Sequence, residues 1–194
     1  QAIGELIEGN DRFLSQPLSE ATEEEGVVAV ITTCSDSRVP IASVFSVGQG
    51  EVEVQNTAGN TIDIDGMAEA VRASDAPLIM VLGHNYCGAV NSALKREGSH
   101  CRSLEKGILN PIRQNLAQER DFQSEITNSG NMEAAMTNVY GELLRIAYPT
   151  AQNALYLRNR IRRHQTKAVG AVLDLETGEV RPFIDSDQIA DFWE

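Results

Sequence analysis

The chain has 194 residues, of which 42% are hydrophobic and 23% are charged, which is typical of one soluble globular domain. Its formal net charge of −12 argues against a nucleic-acid partner, because binding to phosphates requires a concentrated basic face. No run approaches the roughly 20 apolar residues that span a bilayer, so we expect no membrane partner.

The first part of the chain predicts a helical arm followed by strands. Residues 1–15 place apolar side chains at helical spacings, which predicts an amphipathic helix, and the polar segment 16–26 is typical of a linker. The largely β-branched run at 27–31 predicts a strand that is covered on both faces. Three more elements follow: a strand at 51–54, a helix at 67–73 and a buried strand at 77–82.

After Cys87 the pattern becomes helical and then returns to strands. The predicted elements are helices at 89–96, 104–120, 132–147 and 151–163, then a strand at 168–173, a turn at 176–178 and a returning strand at 180–184. Strands that alternate with helices indicate an α/β fold with a mostly parallel central sheet covered by helices. We predict a single domain over 1–194, in which 1–26 form an N-terminal helical arm and linker.

Polar side chains follow the two strongest strand signals at the point where each ends. Cys34 comes shortly after the run at 27–31, and His84 comes shortly after the run at 77–82. In open sheets of this kind, ligands bind beyond the carboxyl ends of the strands. We therefore expect Cys34 and His84 to meet in space although they are 50 positions apart.

Three residues near these strand ends have the donor types that zinc prefers. Cys34, Cys87 and His84 would supply two thiolates and one imidazole for tetrahedral Zn²⁺, with the fourth position left for water. The chain has three cysteines, an odd number that does not suggest a disulfide framework. The structural alternative is that the cysteines are small buried hydrophobes and that His84 is a satisfied core histidine.

Asp36 and Arg38 lie two positions apart, directly after the first cysteine. In the functional interpretation, Arg38 holds Asp36 ionised and oriented through charge-assisted hydrogen bonds. Asp36 then accepts the proton of a zinc-bound hydroxide and aims its free lone pair at an electrophile. The structural alternative is an ion pair that only closes a loop.

The motifs around these residues resemble those of the β-class carbonic anhydrases. Residues 34–39 read C-S-D-S-R-V and residues 83–89 read G-H-N-Y-C-G-A, which is similar to the family's C-S-D-S-R-V and G-H-x-x-C-G-A. Residues 9–13, G-N-D-R-F, resemble the end of its N-terminal helix, and residues 169–178 resemble its closing hairpin. The matches run in the expected order from the first helix to near the end of the chain.

The resemblance implies a carbonic anhydrase, in which zinc-bound hydroxide hydrates carbon dioxide reversibly to bicarbonate. It implies zinc as the cofactor, with Cys34, His84 and Cys87 as its ligands and the pair Asp36–Arg38 as the catalytic dyad. The backbone N–H of Gly88, where the loop enters a helix, is a candidate donor to the developing bicarbonate.

The resemblance also implies an assembly of identical subunits. Family members form dimers with exchanged N-terminal helices, often paired into tetramers, so we expect a homodimer or a homotetramer. Residues 1–15 would then clasp a second subunit; the alternative is a surface helix that lies on its own domain.

Asn56 and Thr57 stand where the family usually has Arg-Asn. An amide cannot replace the charge of a guanidinium, so this departure bears on activity, subunit packing or anion binding. It leaves two alternative functions open: hydrolysis of carbonyl sulfide or carbon disulfide at the same site, or a non-catalytic zinc-stabilised scaffold.

Two smaller departures concern the pocket and the coordination. Plant-type members carry a glutamine near the substrate. This chain has Gly48 at that position, and Gln49 follows one residue later. Ile31 and Thr33 occupy the positions of a Trp and a Gly that accompany the family's closed state. We therefore favour the open form, with water as the fourth ligand, over a closed form with Asp36 in that position.

The remaining features are predicted to lie away from the chemistry. The basic run at 158–164 is predicted to be a solvated or subunit-facing helix side, His164 a solvated surface residue, and Cys101 a free thiol beside His100 in a loop. Because the sequence begins at Gln1 rather than Met, a targeting peptide can be missing from it; a cytoplasmic location is favoured.

Overall fold

A five-stranded sheet organises the part of the chain that the structure, a computed structural model, describes: residues 2–14, 26–95, 102–118 and 132–193. The strands are β1 (Ala29–Cys34), β2 (Val52–Thr57), β3 (Leu78–His84), β4 (Lys167–Leu173) and β5 (Val180–Asp185). Their order is β2-β1-β3-β4-β5, with the first four parallel and β5 antiparallel to β4. The predicted mostly parallel α/β sheet and its closing hairpin are confirmed.

Helices lie between the strands and cover the sheet. Their bounds are α1 (Ala2–Leu14), α2 (Ile41–Phe45), α3 (Ile64–Ser74), α4 (Gly88–Leu94), α5 (Arg102–Leu104), α6 (Asn110–Gln118), α7 (Met132–Ala147) and α8 (Gln152–Arg162). A π-helical segment, Glu105–Leu109, joins α5 to α6, and 3₁₀ turns occur at Ala58–Asn60 and Ala190–Phe192. None of the helices in the described ranges is long and apolar enough to cross a membrane.

The alternation of side chains along β3 builds a core on both faces of the sheet. Ile79 and Val81 point to one face, where α3, α7 and α8 contribute buried residues such as Leu143 and Leu157. Leu82 belongs to a smaller cluster on the other face, as expected because successive strand residues face opposite sides. Full burial of each such side chain contributes roughly 1.5–3 kcal/mol, so packing on both faces stabilises the sheet that carries the site.

The first strand extends past its apolar run to the polar residues at its predicted end. The apolar run at 27–31 covers only part of β1, which continues through Thr32 and Thr33 to Cys34, where the sequence predicted the strand to end. These threonines are fully buried and their hydroxyls are satisfied, since Thr33 donates to the Leu82 carbonyl at 3.2 Å and Thr32 to Gln55 at 2.9 Å. Hydrogen-bonded threonines remain compatible with a strand interior, and an apolar pattern alone misses them.

Other predicted bounds differ in similar ways. The strand predicted at 51–54 extends through Thr57, and the helix predicted at 104–120 begins at Arg102 and contains the π-helical segment. The short helix α2 has no counterpart in the prediction. Cys101, His100 and most of the predicted linker lie outside the described residues.

The strand order opens a crevice between β1 and β3. From β1 the chain crosses to β2 on one side, and from β3 it crosses to β4 on the other. Neighbouring parallel strands whose connections diverge in this way leave a ligand-binding crevice at their carboxyl ends. Cys34 and His84 are the last residues of these two strands.

Candidate metal centre

The three predicted ligands meet at the carboxyl ends of β1 and β3. Cys34 ends β1, His84 ends β3, and Cys87 follows a two-residue turn and precedes α4. One ligand atom from each residue lies within 4.8 Å of the others, and the two sulfur atoms are 3.9 Å apart. The prediction that Cys34 and His84 meet in space is confirmed.

The imidazole of His84 is fully buried and presents one nitrogen to this cluster. Its Nδ1 lies 2.7 Å from the carbonyl oxygen of Asn85, which can only accept, so Nδ1 carries the proton. The Nε2 lone pair is therefore available, and Nε2 has no hydrogen-bond partner among the described residues. A buried polar atom without a partner costs stability, and a metal ion would satisfy this one, with the second nitrogen oriented as in most metal-bound histidines.

A hydrogen bond links the two thiols. A hydrogen bond from Cys87 lowers the pKa of Cys34 to about 4, and the backbone of Gly59 and Asp36 acts in the same direction. The pKa of Cys87 is raised, first by its hydrogen bond to Cys34 and then by burial. Zinc ligands are thiolates, so metal binding would release the thiol protons. The donor set and its burial fit Zn²⁺.

Asp36 and Arg38 form the predicted ion pair beside the cluster. Arg38 Nε donates to Asp36 Oδ1 at 2.9 Å and Nη2 donates to Oδ2 at 2.7 Å. The Arg38 backbone N–H adds a third bond to Oδ1 at 3.0 Å. These hydrogen bonds lower the pKa of Asp36 well below its usual range, so the carboxylate stays ionised and fixed in orientation.

Arg38 also joins the pair to the turn between His84 and Cys87. Its Nη2 donates to the carbonyl oxygen of Tyr86 at 3.2 Å, and Tyr86 has a left-handed backbone with φ of 56°. The dyad from β1 and the turn from β3 are therefore connected directly.

A second layer that the sequence did not single out holds the same turn. Asn85 Nδ2 donates to Asp174 at 3.0 Å, and Asn85 Oδ1 accepts from the Leu175 N–H at 2.8 Å. The Tyr86 hydroxyl donates to Glu176 at 2.6 Å. In the sequence, residues 174–178 belong to the segment that resembles the family's closing hairpin, and this resemblance could have pointed to them. No spacing rule joins them to residues 85 and 86.

The remaining predicted positions lie around this centre. Gly88 is the first residue of α4, directly after the last ligand, and its role as a donor to bicarbonate stays a prediction. Thr57 is the register partner of Cys34, and its hydroxyl donates to the Thr61 carbonyl at 2.7 Å. Asn56 and Gln49 are both exposed. His164 is exposed as predicted and stacks on Trp193.

Comparison with known proteins places this geometry in a family. The model of the carbonic anhydrase family matches residues 29–180, which include the three candidate ligands and the ion pair. The chain belongs to the β-class carbonic anhydrases. Members of this class are zinc enzymes, and Cys34, His84 and Cys87 are positioned as possible metal ligands.

Individual relatives agree with this assignment to the carbonic anhydrase family. The chain is 40% identical over 102 residues to carbonic anhydrase 2 of Mycobacterium tuberculosis, a match that covers 46% of this chain and 49% of that protein. The match therefore spans about half the length of this relative, and a carbonic anhydrase of Mycolicibacterium smegmatis is similar over a comparable share of its length.

Solved structures show the β-class carbonic anhydrase fold over nearly the whole chain. The β-carbonic anhydrase CafA of Aspergillus fumigatus superposes with a TM-score of 0.79 at 20% identity and covers 94% of this chain and 91% of its own. A tetrameric β-carbonic anhydrase of Sordaria macrospora superposes with a TM-score of 0.78 at 19% identity and covers 95% and 98%. At these identities the likeness concerns the fold.

Proposed function

We propose that this chain is a zinc-dependent carbonic anhydrase that interconverts carbon dioxide and bicarbonate. The main support is a buried cluster of two thiols and one imidazole, whose Nε2 has no hydrogen-bond partner among the described residues. Beside this cluster lies a carboxylate that is held by a guanidinium. Three protein ligands and an open fourth position characterise a catalytic zinc site rather than a structural one.

Cys34, His84 and Cys87 would hold the metal. When bound, zinc supplies a water whose pKa is lowered to roughly 7, so that hydroxide is available at neutral pH. The chain provides an enclosed setting, since the exposed fractions of Cys34, His84 and Cys87 are 6%, 0% and 2%. Exclusion of bulk water strengthens the electrostatic interactions at such a centre.

Asp36 would orient the nucleophile in this mechanism. As a carboxylate, Asp36 would accept a hydrogen bond from the nucleophile and so orient it toward the carbon of carbon dioxide. Arg38 keeps Asp36 ionised and prevents rotation through its two parallel hydrogen bonds. The Gly88 N–H would donate a hydrogen bond to the negative charge that develops on the product oxygen.

The same ion pair supports the open form of the site. Both carboxylate oxygens of Asp36 accept from Arg38, so coordination of a metal by Asp36 would break charge-assisted bonds. We therefore place water rather than Asp36 at the fourth position.

We also propose that the protein is a homodimer or a homotetramer. Support comes from α1, whose apolar residues Ile3, Leu6 and Ile7 have exposed fractions of 77%, 74% and 58%. Three large apolar side chains on one helix favour burial against another surface, and a second copy of this chain is the proposed partner. A cytoplasmic location stays a prediction.

Stopped-flow hydration of carbon dioxide by the zinc-loaded protein tests the proposed function. We expect catalysis well above the buffer rate, and we expect a matched Cys34→Ser variant, which loses one ligand, to fall at least about 100-fold. A zinc-loaded protein that hydrates carbon dioxide no faster than buffer would overturn the proposal.

The same preparations distinguish the alternatives. Release of sulfide from carbonyl sulfide or carbon disulfide, without carbon dioxide hydration, would identify a hydrolase with the same centre. Loss of folding on zinc removal, with neither activity present, would identify a scaffold.

A further inference from the structure

A chain of polar side chains extends from the turn at Gly59 into the helical layer. Asn138 and Glu142 on α7 and Asn115 on α6 are buried, and Arg145 near the end of α7 is half-exposed. Asn138 and Glu142 have no exposed surface, and the exposed fraction of Asn115 is 4%. Burial of a carboxylate and two amides destabilises the fold unless their hydrogen bonds are satisfied, so each of them needs partners inside the protein.

The outer half of this network surrounds the Glu142 carboxylate. Its Oε2 accepts from the Ile62 N–H at 2.8 Å and from Arg145 at 2.6 Å. Its Oε1 accepts from Asn115 Nδ2 at 2.9 Å. With donors on both oxygens, the carboxylate is held in one orientation and fixes the amide of Asn115.

The inner half leads to the turn beside the first cysteine. Asn115 Nδ2 also donates to Asn138 Oδ1 at 3.0 Å, and Asn138 Nδ2 donates to the carbonyl oxygen of Gly59 at 2.9 Å. Gly59 lies in the 3₁₀ turn that directly follows β2, with a left-handed φ of 64°. The turn directly follows Thr57, the register partner of Cys34, and a Cβ on Gly59 would lie 3.1 Å from the Cβ of Ala89, two positions after Cys87. The backbone of Gly59 also acts to lower the pKa of Cys34.

We propose that Asn138, Asn115 and Glu142 are positioning residues for the metal centre, because they fix the Gly59 turn that packs between the segments carrying Cys34 and Cys87. The proposal rests on the proposed zinc site and extends it, since none of these residues touches the ligand cluster. Hydrogen bonds behind the ligands orient them and tune their donor strength. A rigid network reached from two helices keeps this turn in place when the metal enters or leaves.

Substitution of Asn138 by leucine tests the proposal. Leucine has a similar size but cannot donate to Gly59. In the cobalt-substituted protein, we expect the sulfur-to-cobalt charge-transfer band of Asn138→Leu to move to longer wavelength, because a thiolate that accepts fewer hydrogen bonds gives up charge more easily. We expect the dissociation constant for zinc to rise about tenfold, as is common when a partner behind a ligand is removed.

Leu143→Ala is the matched control, because Leu143 is also fully buried on α7 but belongs to the apolar core. It should lower stability and leave the cobalt spectrum unchanged. Glu142→Gln keeps the shape of the side chain and should move the band in the same direction by a smaller amount, which provides a test should Asn138→Leu not fold.

The proposal is overturned when the folded network variants match wild type in both the cobalt spectrum and zinc affinity. These measurements need no turnover. A protein that fails to hydrate carbon dioxide but shows the expected shifts would refute the proposed function and leave the network role standing.

Discussion

One guanidinium holds the two oxygens of the Asp36 carboxylate, and this contact determines its charge. The hydrogen bonds from Arg38 lower the pKa of Asp36 below the usual value near 3.9. A group whose pKa is lower in the folded chain stabilises the fold above its unfolded pKa, and this contribution is lost as the pH falls through the folded value. Asp36 therefore remains a hydrogen-bond acceptor across neutral and mildly acidic pH.

Removal of the guanidinium should raise the pKa of Asp36. In Arg38→Ala we expect the pKa of Asp36 to rise, because only the backbone N–H at position 38 remains as a donor from that residue. Carbon NMR of the labelled side chain measures the change. Arg181→Ala is a matched control, since it removes another exposed arginine from an ion pair with Glu179 and changes the net charge equally. An Asp36 titration in Arg38→Ala that matched wild type would show that another group holds the charge.

At the scale of elements, the turn Ala58–Asn60 connects β2 to the ligand cluster. Gly59 adopts φ of 64° there, and a Cβ atom on it would lie 2.6 Å from Ile112 Cδ1 and 3.1 Å from the Cβ of Ala89. This position therefore requires glycine both for its backbone conformation and for the close approach of α6 and α4.

Gly59→Ala should lower the free energy of unfolding by about 1–3 kcal/mol, the usual cost of a non-glycine residue in such a conformation. Gly88→Ala is the control, because a Cβ at Gly88 meets open space and its φ is unremarkable; its effect should stay within about 1 kcal/mol. Urea denaturation measures both. Equal stability of the two variants would mean that the turn relaxes without cost.

The sequence predicted the positions of the candidate site residues better than the contacts that surround them. Cys34 and Asp36 lie in one short motif, and the rule that parallel strands bind ligands at their carboxyl ends was enough to bring His84 beside them. The network through Asn115 and Glu142 joins positions 27 residues apart on different helices, and no local pattern marks which polar helical residues are buried. Such contacts depend on how α6 and α7 pack, so they became visible only in the fold.

At the scale of the whole molecule, bound zinc should stabilise the fold. A ligand that binds only the folded state raises stability according to its free concentration and dissociation constant. Treatment with a chelator should therefore lower the melting temperature of the zinc-loaded protein, measured by calorimetry. The Cys34→Ser variant should respond less, and an equal response in both would place the stabilising metal elsewhere.

We expect the apolar face of α1 to be required for oligomer formation. Leu6→Asp places a charge where the proposed contact with a second copy needs an apolar side chain, whose burial is worth roughly 1.5–3 kcal/mol. Sedimentation velocity should show smaller species for Leu6→Asp than for wild type. Glu5→Ala on the same helix is the control, and an unchanged size of the Leu6→Asp protein would contradict a role of α1 in assembly.

Exchange of ¹⁸O between carbon dioxide and water tests the central claim most directly, because it follows formation of the carbon–oxygen bond at chemical equilibrium. We expect the zinc-loaded protein to remove ¹⁸O from labelled carbon dioxide far faster than buffer, and Asp36→Asn to slow this exchange sharply while zinc stays bound. Exchange at the buffer rate by the zinc-loaded wild type would show that the chain is not a carbonic anhydrase.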